Sequence, residues 1–365
     1  MKKTIVAVAV AALAATSANA ATIYSKDGTT VNVSGSLRLM LDKTTDHRAD
    51  LQDDGSRLII NVKHELGEGF SALANIQTRT GDLGGKGDDG FRTKYVYAGF
   101  AQENIGTLTF GKQVTAGDSF KLADPTENFN SVIDATDLKD AEDKVVNFVS
   151  TNMAGFGLEA SYIFAHDSAR EGTTKDGKSY YKPNQNGYQV LAKYENDFDG
   201  VGFAAHAIYA QNKLEGQKNI AASGKPAFYV GNGETYNHKV WGLAAAVNVA
   251  DFGFAVDYAE SKASDNHTVK YDGFDGLAAE KIKAWQIATT YQVSEPMDVY
   301  MGYHQFKGKA DKAGVADQKV KGFVVGSHYQ LAQNVQTYVE YTTEKGDWDK
   351  AERQNAYYAG LRVFF

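Results

Sequence analysis

Hydrophobic and polar residues alternate along much of this chain with a period of two, which predicts β-strands. One apolar series is Phe252, Phe254, Val256 and Tyr258, and the series between is Gly253, Ala255 and Asp257. The chain ends in the same pattern, with Leu361 and Phe365 on one face and Arg362 on the other. A terminal strand with bare apolar groups avoids aggregation when that face meets lipid and both edges are paired in a closed barrel. The pattern therefore predicts a transmembrane β-barrel.

Segments of about ten residues with this alternation predict 16 antiparallel strands. Their predicted starts lie near Thr30, Arg57, Phe70, Arg92, Gly106, Lys144, Gly157, Gly187, Gly200, Lys239, Phe252, Glu280, Met297, Gln318, Val335 and Gln354. Short turns alternate with long polar loops, which include residues 42–56, 81–91, 114–143, 167–186, 213–238 and 263–279. Bacterial outer-membrane barrels have short turns at the periplasmic rim and long loops outside. Counts of fourteen or eighteen strands are the alternatives.

Alternation also assigns charged side chains to a face. Leu58 and Ile60 oppose Arg57 and Lys63, and Leu158, Ala160, Tyr162 and Phe164 likewise oppose Glu159. A Lys or Arg on the lipid face at the bilayer midplane costs about 2–4 kcal/mol, so these charges are predicted to face the lumen together with Asp257.

The amino terminus resembles a secretory signal peptide. Lys2 and Lys3 precede an apolar run over residues 5–15, and Ala18-Asn19-Ala20 follows as an A-x-A cleavage site. We expect residues 1–20 to be removed and residues 21–365 to form a single barrel domain. The chain has no cysteine, which excludes a disulfide framework and a thiolate metal site.

Composition distinguishes a barrel from a helical membrane protein. The hydrophobic content is 43% and the mean hydropathy is −0.40, and after the leader no apolar run approaches the ~18 residues that a spanning helix needs. A helical membrane protein is therefore excluded. A barrel fits these values because half of each strand faces water, and the 21 Tyr and 19 Phe can supply interfacial girdles.

The balance of charge argues against nucleic acid as a partner. Loss of the leader takes Lys+Arg from 38 to 36 against 45 Asp+Glu, so the mature net charge is about −9. Nucleic-acid binding needs clustered surplus base.

Candidate chemical motifs fail on their context. Residues 85–90 match G-x-G-x-x-G, but they are acidic and no helix pattern follows. Residues 50–55 resemble the start of an EF-hand without its third-position ligand. The eight histidines have no metal-binding spacing, and no G-x-S-x-G is present, although a triad assembled from separated strands would leave no such motif. We predict no enzyme activity, cofactor or metal.

Four segments resemble the general diffusion porins of Gram-negative bacteria, most of all those of the Pasteurellaceae. They are residues 23–30 (IYSKDGTT), 55–79, 97–113 and 360–365 (GLRVFF). The resemblance covers nearly the whole mature chain. It implies a homotrimer of 16-stranded barrels in the outer membrane, with the third extracellular loop, residues 114–143, folded into the lumen.

The resemblance also implies residues of the channel constriction. Arg57 and Lys112 match two basic wall positions, and Gln77 falls where relatives often have a carboxylate. The third basic position falls on Val149, and the nearby bases that could replace it are Arg38, Arg79 and Lys144. The third loop carries eight acids against two lysines, and the acids expected at the channel are Asp118, Asp124, Glu127 and Asp134. The alternative is a solvated acidic surface loop.

These observations predict passive diffusion of small hydrophilic solutes and ions, with a weak preference for cations. The alternatives are an outer-membrane adhesin or receptor and a substrate-specific channel. Expected partners are the other subunits of the homotrimer, outer-membrane lipid and lipopolysaccharide, and the barrel-assembly machinery.

Overall fold

A computed structural model describes residues 20–45, 47–81, 90–165, 170–173, 179–182, 185–215, 235–264, 269–270, 278–309, 317–347 and 352–365. Within these residues, 16 antiparallel strands form one closed barrel. In chain order, β1 to β16 are Thr29–Thr44, Arg57–Gly67, Phe70–Arg79, Arg92–Gln102, Gly106–Val114, Ala141–Ser150, Phe156–Ile163, Gln185–Phe198, Val201–Glu215, Thr235–Val249, Phe252–Ala263, Lys281–Ser294, Met297–Lys309, Gln318–Ala332, Val335–Gly346 and Gln354–Phe364. Each predicted start lies within four residues of an observed one.

The barrel closes between its first and last strands. β16 pairs with β1, with Arg362 opposite Arg38. Beyond β16, Gly35 and Phe365 exchange two backbone hydrogen bonds of 2.8 and 3.0 Å. The predicted closing strand is thus confirmed, and lipid meets no unpaired edge at this seam.

Short strands add to the barrel at its rims. Ala21–Lys26 and Asp50–Asp53 both pair with β1. Two small ribbons, Arg170–Thr173 with Ser179–Lys182 and Val269–Lys270 with Ala278–Ala279, lie in long loops.

Side-chain exposure follows the predicted alternation. Phe252 and Phe254 are 61% and 50% exposed on the outer face, whereas Asp257 is buried inside. Glu159 is likewise buried, and Leu361 and Phe365 are exposed on the outside. The outer face is therefore apolar and the inner face carries the charges, as a barrel in lipid requires.

Some predictions lie outside the described residues. These are residues 1–19 of the signal peptide, residues 85–89 of the glycine-rich motif, and large parts of the loops at 167–186, 213–238 and 263–279. In the described part of the chain, no helix has the length and apolarity to span a membrane. The same residues contain no group of three or more His, Asp or Glu side chains that could hold a metal ion.

The third loop comprises residues 115–140 between β5 and β6 and is called the inner loop below. It contains the short helix α1, Val132–Thr136. Its apolar side chains pack against inward side chains of the barrel, and the resulting buried cluster includes Phe120, Val132, Ile133, Leu138, Leu191, Ile208, Val240, Phe306 and Val320. The hydrophobic core therefore lies within the barrel, between the inner loop and the strands from β8 to β14.

Candidate constriction site

Backbone groups of the inner loop hydrogen-bond to inward side chains around the barrel. Near the start of the loop, the Gly117 N–H donates to Gln189 Oε1 at 2.6 Å. Farther along, the Leu122 and Ala123 N–H groups donate to the Asp257 carboxylate, each at 3.0 Å. Asp257 was predicted to face the lumen, and there its side-chain oxygens hold the loop by accepting these two hydrogen bonds. A buried carboxylate is stable only when such donors replace its lost water.

A second buried carboxylate, four strands farther around the barrel, also holds the loop. Glu340 on β15 accepts the Glu127 and Asn128 N–H groups at 2.8 Å each. It also accepts the Tyr300 hydroxyl at 2.7 Å. His304 Nδ1 lies 3.0 Å from the carbonyl oxygen of Asn130 on the same stretch. The first half of the inner loop thus crosses the lumen and is held by inward side chains of strands from β8 to β15.

Three arginines on adjacent strands form what we call the arginine wall: Arg38, Arg57 and Arg79. Arg57 lies directly opposite Arg79 in the pairing of β2 with β3. Their guanidinium groups flank Gly55, because a Cβ at Gly55 would lie 3.6 Å from a terminal nitrogen of each. Within the described residues, the arginine wall has no ion pair with a carboxylate.

Arg362 is a fourth inward arginine, and it differs because its charge is matched. Its guanidinium donates to Asp54 at 2.7 Å and to Glu127 at 2.5 Å. It also lies over the Tyr338 ring, 4.8 Å from the centroid. The alternation in β16 had placed Arg362 inside, but the site prediction omitted it. Its partner Asp54 lies in a loop, where strand periodicity gives no signal.

Lys112 does not join the arginine wall, contrary to expectation. It lies opposite Val96, which is 46% exposed on the outer face. Phe110, two residues earlier, is equally exposed, and buried Gln113 faces inward. Lys112 therefore lies on the outer face, with Nζ 3.1 Å from the Asp143 carboxylate. Alternation from Phe110 gives this same side, and the inward expectation for Lys112 came only from the porin resemblance.

The other residues predicted at the channel constriction do not belong to the arginine wall. Gln77 is inward and buried beside the arginine wall, opposite Tyr95. Val149 lies opposite Thr107 near the short-turn end of β6, away from the arginines. Lys144 is exposed, and its Nζ lies 3.5 Å from the Ala165 carbonyl oxygen. Neither Val149 nor Lys144 supplies a third basic position.

The predicted loop acids have unequal surroundings. Asp118 is exposed, whereas Asp124 forms an ion pair with Lys121 at 2.6 Å. Asp134 is exposed but accepts hydrogen bonds from the backbone and hydroxyl of Ser131 at 2.7 and 2.8 Å. Asp118 and Asp134 are thus the two predicted acids with open surface, while Asp124 and Glu127 are held by cations.

Glu127 joins the inner loop to two barrel strands. Its carboxylate contacts Arg362 on β16 and lies 3.0 Å from His328 Nε2 on β14. Burial raises the pKa of Glu127, but hydrogen bonds from His328 and Arg362 outweigh it and lower the pKa from 4.5 to about 2. Glu127 is therefore ionised at neutral pH and serves as a fixed link.

The inner loop fills one side of the lumen, and the arginine wall lines part of the other. Charged groups on both sides of the remaining space suit the passage of hydrated ions and polar solutes, because such rings of charge set selectivity in channels.

Comparisons with known proteins agree with this architecture. The sequence profile described as Gram-negative porin matches residues 7–349. A major outer membrane protein of Pasteurella multocida is 37% identical over 322 residues, which are 83% of this chain and 83% of that protein. OmpT of Vibrio cholerae in its trimer form superposes with a TM-score of 0.71 at 20% identity, covering 93% of this chain and all of that one.

A further structural neighbour limits what the fold can say about selectivity. It is an anion-selective porin from Comamonas acidovorans, with a TM-score of 0.68 at 16% identity, 92% coverage of this chain and complete coverage of that one. At such identity the likeness concerns the fold alone. The extent of the profile match and the identity to the Pasteurella protein show that this chain belongs to the Gram-negative porin family of the outer membrane.

Proposed function

We propose that the protein is a passive channel for small hydrophilic solutes and ions across the outer membrane. The observation that carries this proposal is the inner loop, which crosses the lumen opposite the arginine wall and leaves a charged passage. The loop is held by buried Asp257 and Glu340. It therefore sets a fixed size limit without any coupled energy source, and no catalytic step is involved.

A modest preference for cations is part of the proposal. The mature chain carries a net charge of about −9, and exposed Asp118 and Asp134 lie on the inner loop. The arginine wall opposes this preference, so the net selectivity is weak. Because the Debye length falls from about 10 Å at 0.1 M to about 3 Å at 1 M salt, the preference should shrink as salt rises.

Planar-bilayer recording tests both parts of this proposal. Purified protein should give discrete conductance steps. In a salt gradient, the reversal potential should have the sign that indicates cation selectivity. Absence of steps would favour an adhesin or receptor and reject the channel. Anion selectivity at low salt would reject the cation preference while leaving diffusion intact.

We also propose that the functional unit is a homotrimer. The support is the Vibrio cholerae neighbour, which is described in a trimer form. Native mass spectrometry of protein extracted in mild detergent should give three times the subunit mass. Intact mass of the subunit also tests the predicted cleavage before Ala21, since an uncleaved chain would retain residues 1–20.

A further inference from the structure

Three histidines of the barrel each have one ring nitrogen on the inner loop and the other on a carboxylate of a strand. The first is His206 on β9, which is buried. Its Nδ1 lies 3.0 Å from the Phe120 carbonyl oxygen, and its Nε2 lies 2.9 Å from the Glu195 carboxylate on β8. Lys193, directly opposite on β8, and Asp257 on β11 are the other charged groups that face this ring.

The second is His304 on β13, which is fully buried. Its Nδ1 lies 3.0 Å from the Asn130 carbonyl oxygen, and its Nε2 lies 2.9 Å from the Glu344 carboxylate on β15. The ring of Phe129, from the loop, stacks on the imidazole with centroids 4.2 Å apart, and Phe306 stacks on it at 4.0 Å. The imidazole is thus fixed in its plane as well as at both nitrogens.

The third is His328 on β14, which lies between two carboxylates. Its Nε2 lies 3.0 Å from Glu127 of the inner loop, and its Nδ1 lies 2.9 Å from Asp298 on β13. The other ionisable groups around this contact are Arg362, Tyr300, Tyr338 and Glu340. His328 therefore joins the loop to the barrel in the same way as the other two histidines.

The neighbours of the three rings determine how many protons the rings carry. A neutral imidazole has one N–H and one bare lone pair, whereas an imidazolium has two N–H groups. Every one of these neighbours is an oxygen of a carbonyl or a carboxylate, and such oxygens only accept hydrogen bonds. A neutral ring would place its lone pair within 3.0 Å of a carboxylate oxygen. Each contact is therefore complete only when both ring nitrogens carry a proton.

We propose that His206, His304 and His328 position the inner loop as imidazolium cations. Each cation joins one point of the loop to a carboxylate of the barrel, and hydrogen bonds between charged groups are stronger than neutral ones. When pH rises and a ring loses a proton, it keeps at most one of its two hydrogen bonds. The attachment is therefore complete near neutral pH and weakens towards alkaline pH, where the loop should move more. The inference rests on the proposed channel only for its conductance measurement.

NMR of the imidazole nitrogens tests the charge of the rings. Spectra of the folded protein in detergent, labelled with ¹⁵N in its histidine rings, are recorded at pH 7.5. An exposed imidazole is then about 90% neutral, because its unperturbed titration midpoint lies near pH 6.5. Three rings should show two protonated nitrogens, and His206→Gln, His304→Gln and His328→Gln should each remove one of these signals. Fewer than three such rings in the wild type would overturn the proposal, whether or not every variant folds.

Single-channel recording between pH 6.5 and pH 9 tests the effect on the loop. The open-channel noise of the wild type should rise with pH. The triple variant, which combines the three substitutions to Gln, should be noisy already at pH 6.5 and should lose the pH dependence, because glutamine carries no charge. The control is His64→Gln, since His64 is exposed and contacts Thr29 instead of the inner loop. This control should keep the wild-type pH profile.

His328→Lys separates charge from shape at one of the three positions. Lysine stays protonated at pH 9, so this variant should show a smaller alkaline rise in noise than the wild type. Equal pH profiles of the triple variant and the wild type, with both proteins folded by gel mobility, would overturn the proposal and leave the channel intact. Absence of conductance at every pH would instead reject the channel, and the NMR count would still decide the role of the histidines.

Discussion

The side of the barrel on which a basic residue lies decides its electrostatic role. Arg57 faces the lumen beside Arg79, and within the described residues it has no carboxylate partner. Lys112 lies outside, with Asp143 at 3.1 Å. We therefore expect only the charge of Arg57 to act directly on ions in the channel.

We expect Arg57→Ala to strengthen the cation preference, because it removes an unmatched positive charge from the lumen without opening a packed cavity. Lys112→Ala serves as the matched control and should leave selectivity close to the wild type. Reversal potentials in a salt gradient, measured at low salt, give the comparison. An equal shift in both variants would contradict the outward position of Lys112.

The low pKa of Glu127 predicts a pH dependence of the inner-loop attachment. A carboxyl whose pKa is lowered from 4.5 to about 2 stabilises the folded state above pH 4.5, and this contribution is lost as pH falls from 4.5 towards 2. A pKa shift of this size corresponds to a contribution of about 3 kcal/mol to the free energy of unfolding, as an order of magnitude. Between pH 7 and pH 3, the wild type should lose more thermal stability than Glu127→Gln, as followed by gel mobility after heating. Identical losses in both proteins would argue against the link through Arg362 and His328.

Residue-level prediction from sequence succeeded where strands are regular. Alternation placed Asp257, Glu159 and Arg57 inside because a period of two leaves one choice of face once the apolar series is recognised. Alternation counted from Phe110 also gives Lys112 the outer face, and its inward assignment came only from the porin resemblance. Alternation gave no sign that Asp257 and Glu340 would bind loop backbone, since contacts between residues far apart in sequence depend on the closed barrel.

At the level of elements, the inner loop behaves as a packed layer on the barrel wall. Phe120 is fully buried in the cluster between loop and strands. A Cβ at Gly242 on β10 would lie 2.5 Å from the Phe120 ring, so glycine at this position leaves room for the ring. The loop is thus held by apolar contact as well as by the two carboxylates.

Phe120→Ala should loosen the inner loop, because truncating a buried Phe typically costs about 3–5 kcal/mol. We expect higher and noisier single-channel conductance, with the barrel still folded. Phe254→Ala is the control, since Phe254 is 50% exposed on the outer face. If the Phe120 variant conducts as the wild type does, the apolar cluster does not determine the aperture.

The loop boundaries could be predicted from sequence, and its path could not. Residues 114–143 were predicted as the loop, and residues 115–140 connect the strands in the structure. Turn and loop composition marks where strands end, but the choice between an inward and an outward loop depends on partners such as Gln189 and Glu340. Only the resemblance to porins supplied that expectation.

For the whole molecule, closure of the barrel depends on the final residue of the chain. Phe365 exchanges two backbone hydrogen bonds with Gly35, and its ring covers that glycine, where a Cβ would lie 2.6 Å from the ring. Deletion of Phe365, or Phe365→Lys, should therefore reduce insertion. The change in lipid energy is only about 0–1 kcal/mol near the interface, so we propose that loss of recognition by the barrel-assembly machinery makes the larger contribution.

The yield of folded protein in outer-membrane fractions measures this effect, with gel mobility before and after heating as the folding assay. A deletion within residues 167–186, in a long loop, is the comparison and should leave the yield nearly unchanged. Comparable yields would show that neither the seam with Gly35 nor recognition of the terminal aromatic limits assembly.

The apolar cluster behind the inner loop has a consequence for how this protein can change over generations. Inward positions such as Ile208 and Phe306 are fully packed, so most substitutions there reduce folding and are removed by selection. Inward positions beside the passage, such as Arg57 and Arg79, are only partly buried, so we expect a change there to alter permeation at little structural cost. A lineage exposed to a toxic solute can therefore adjust its permeability through the first few strands while the later strands keep the aperture in place.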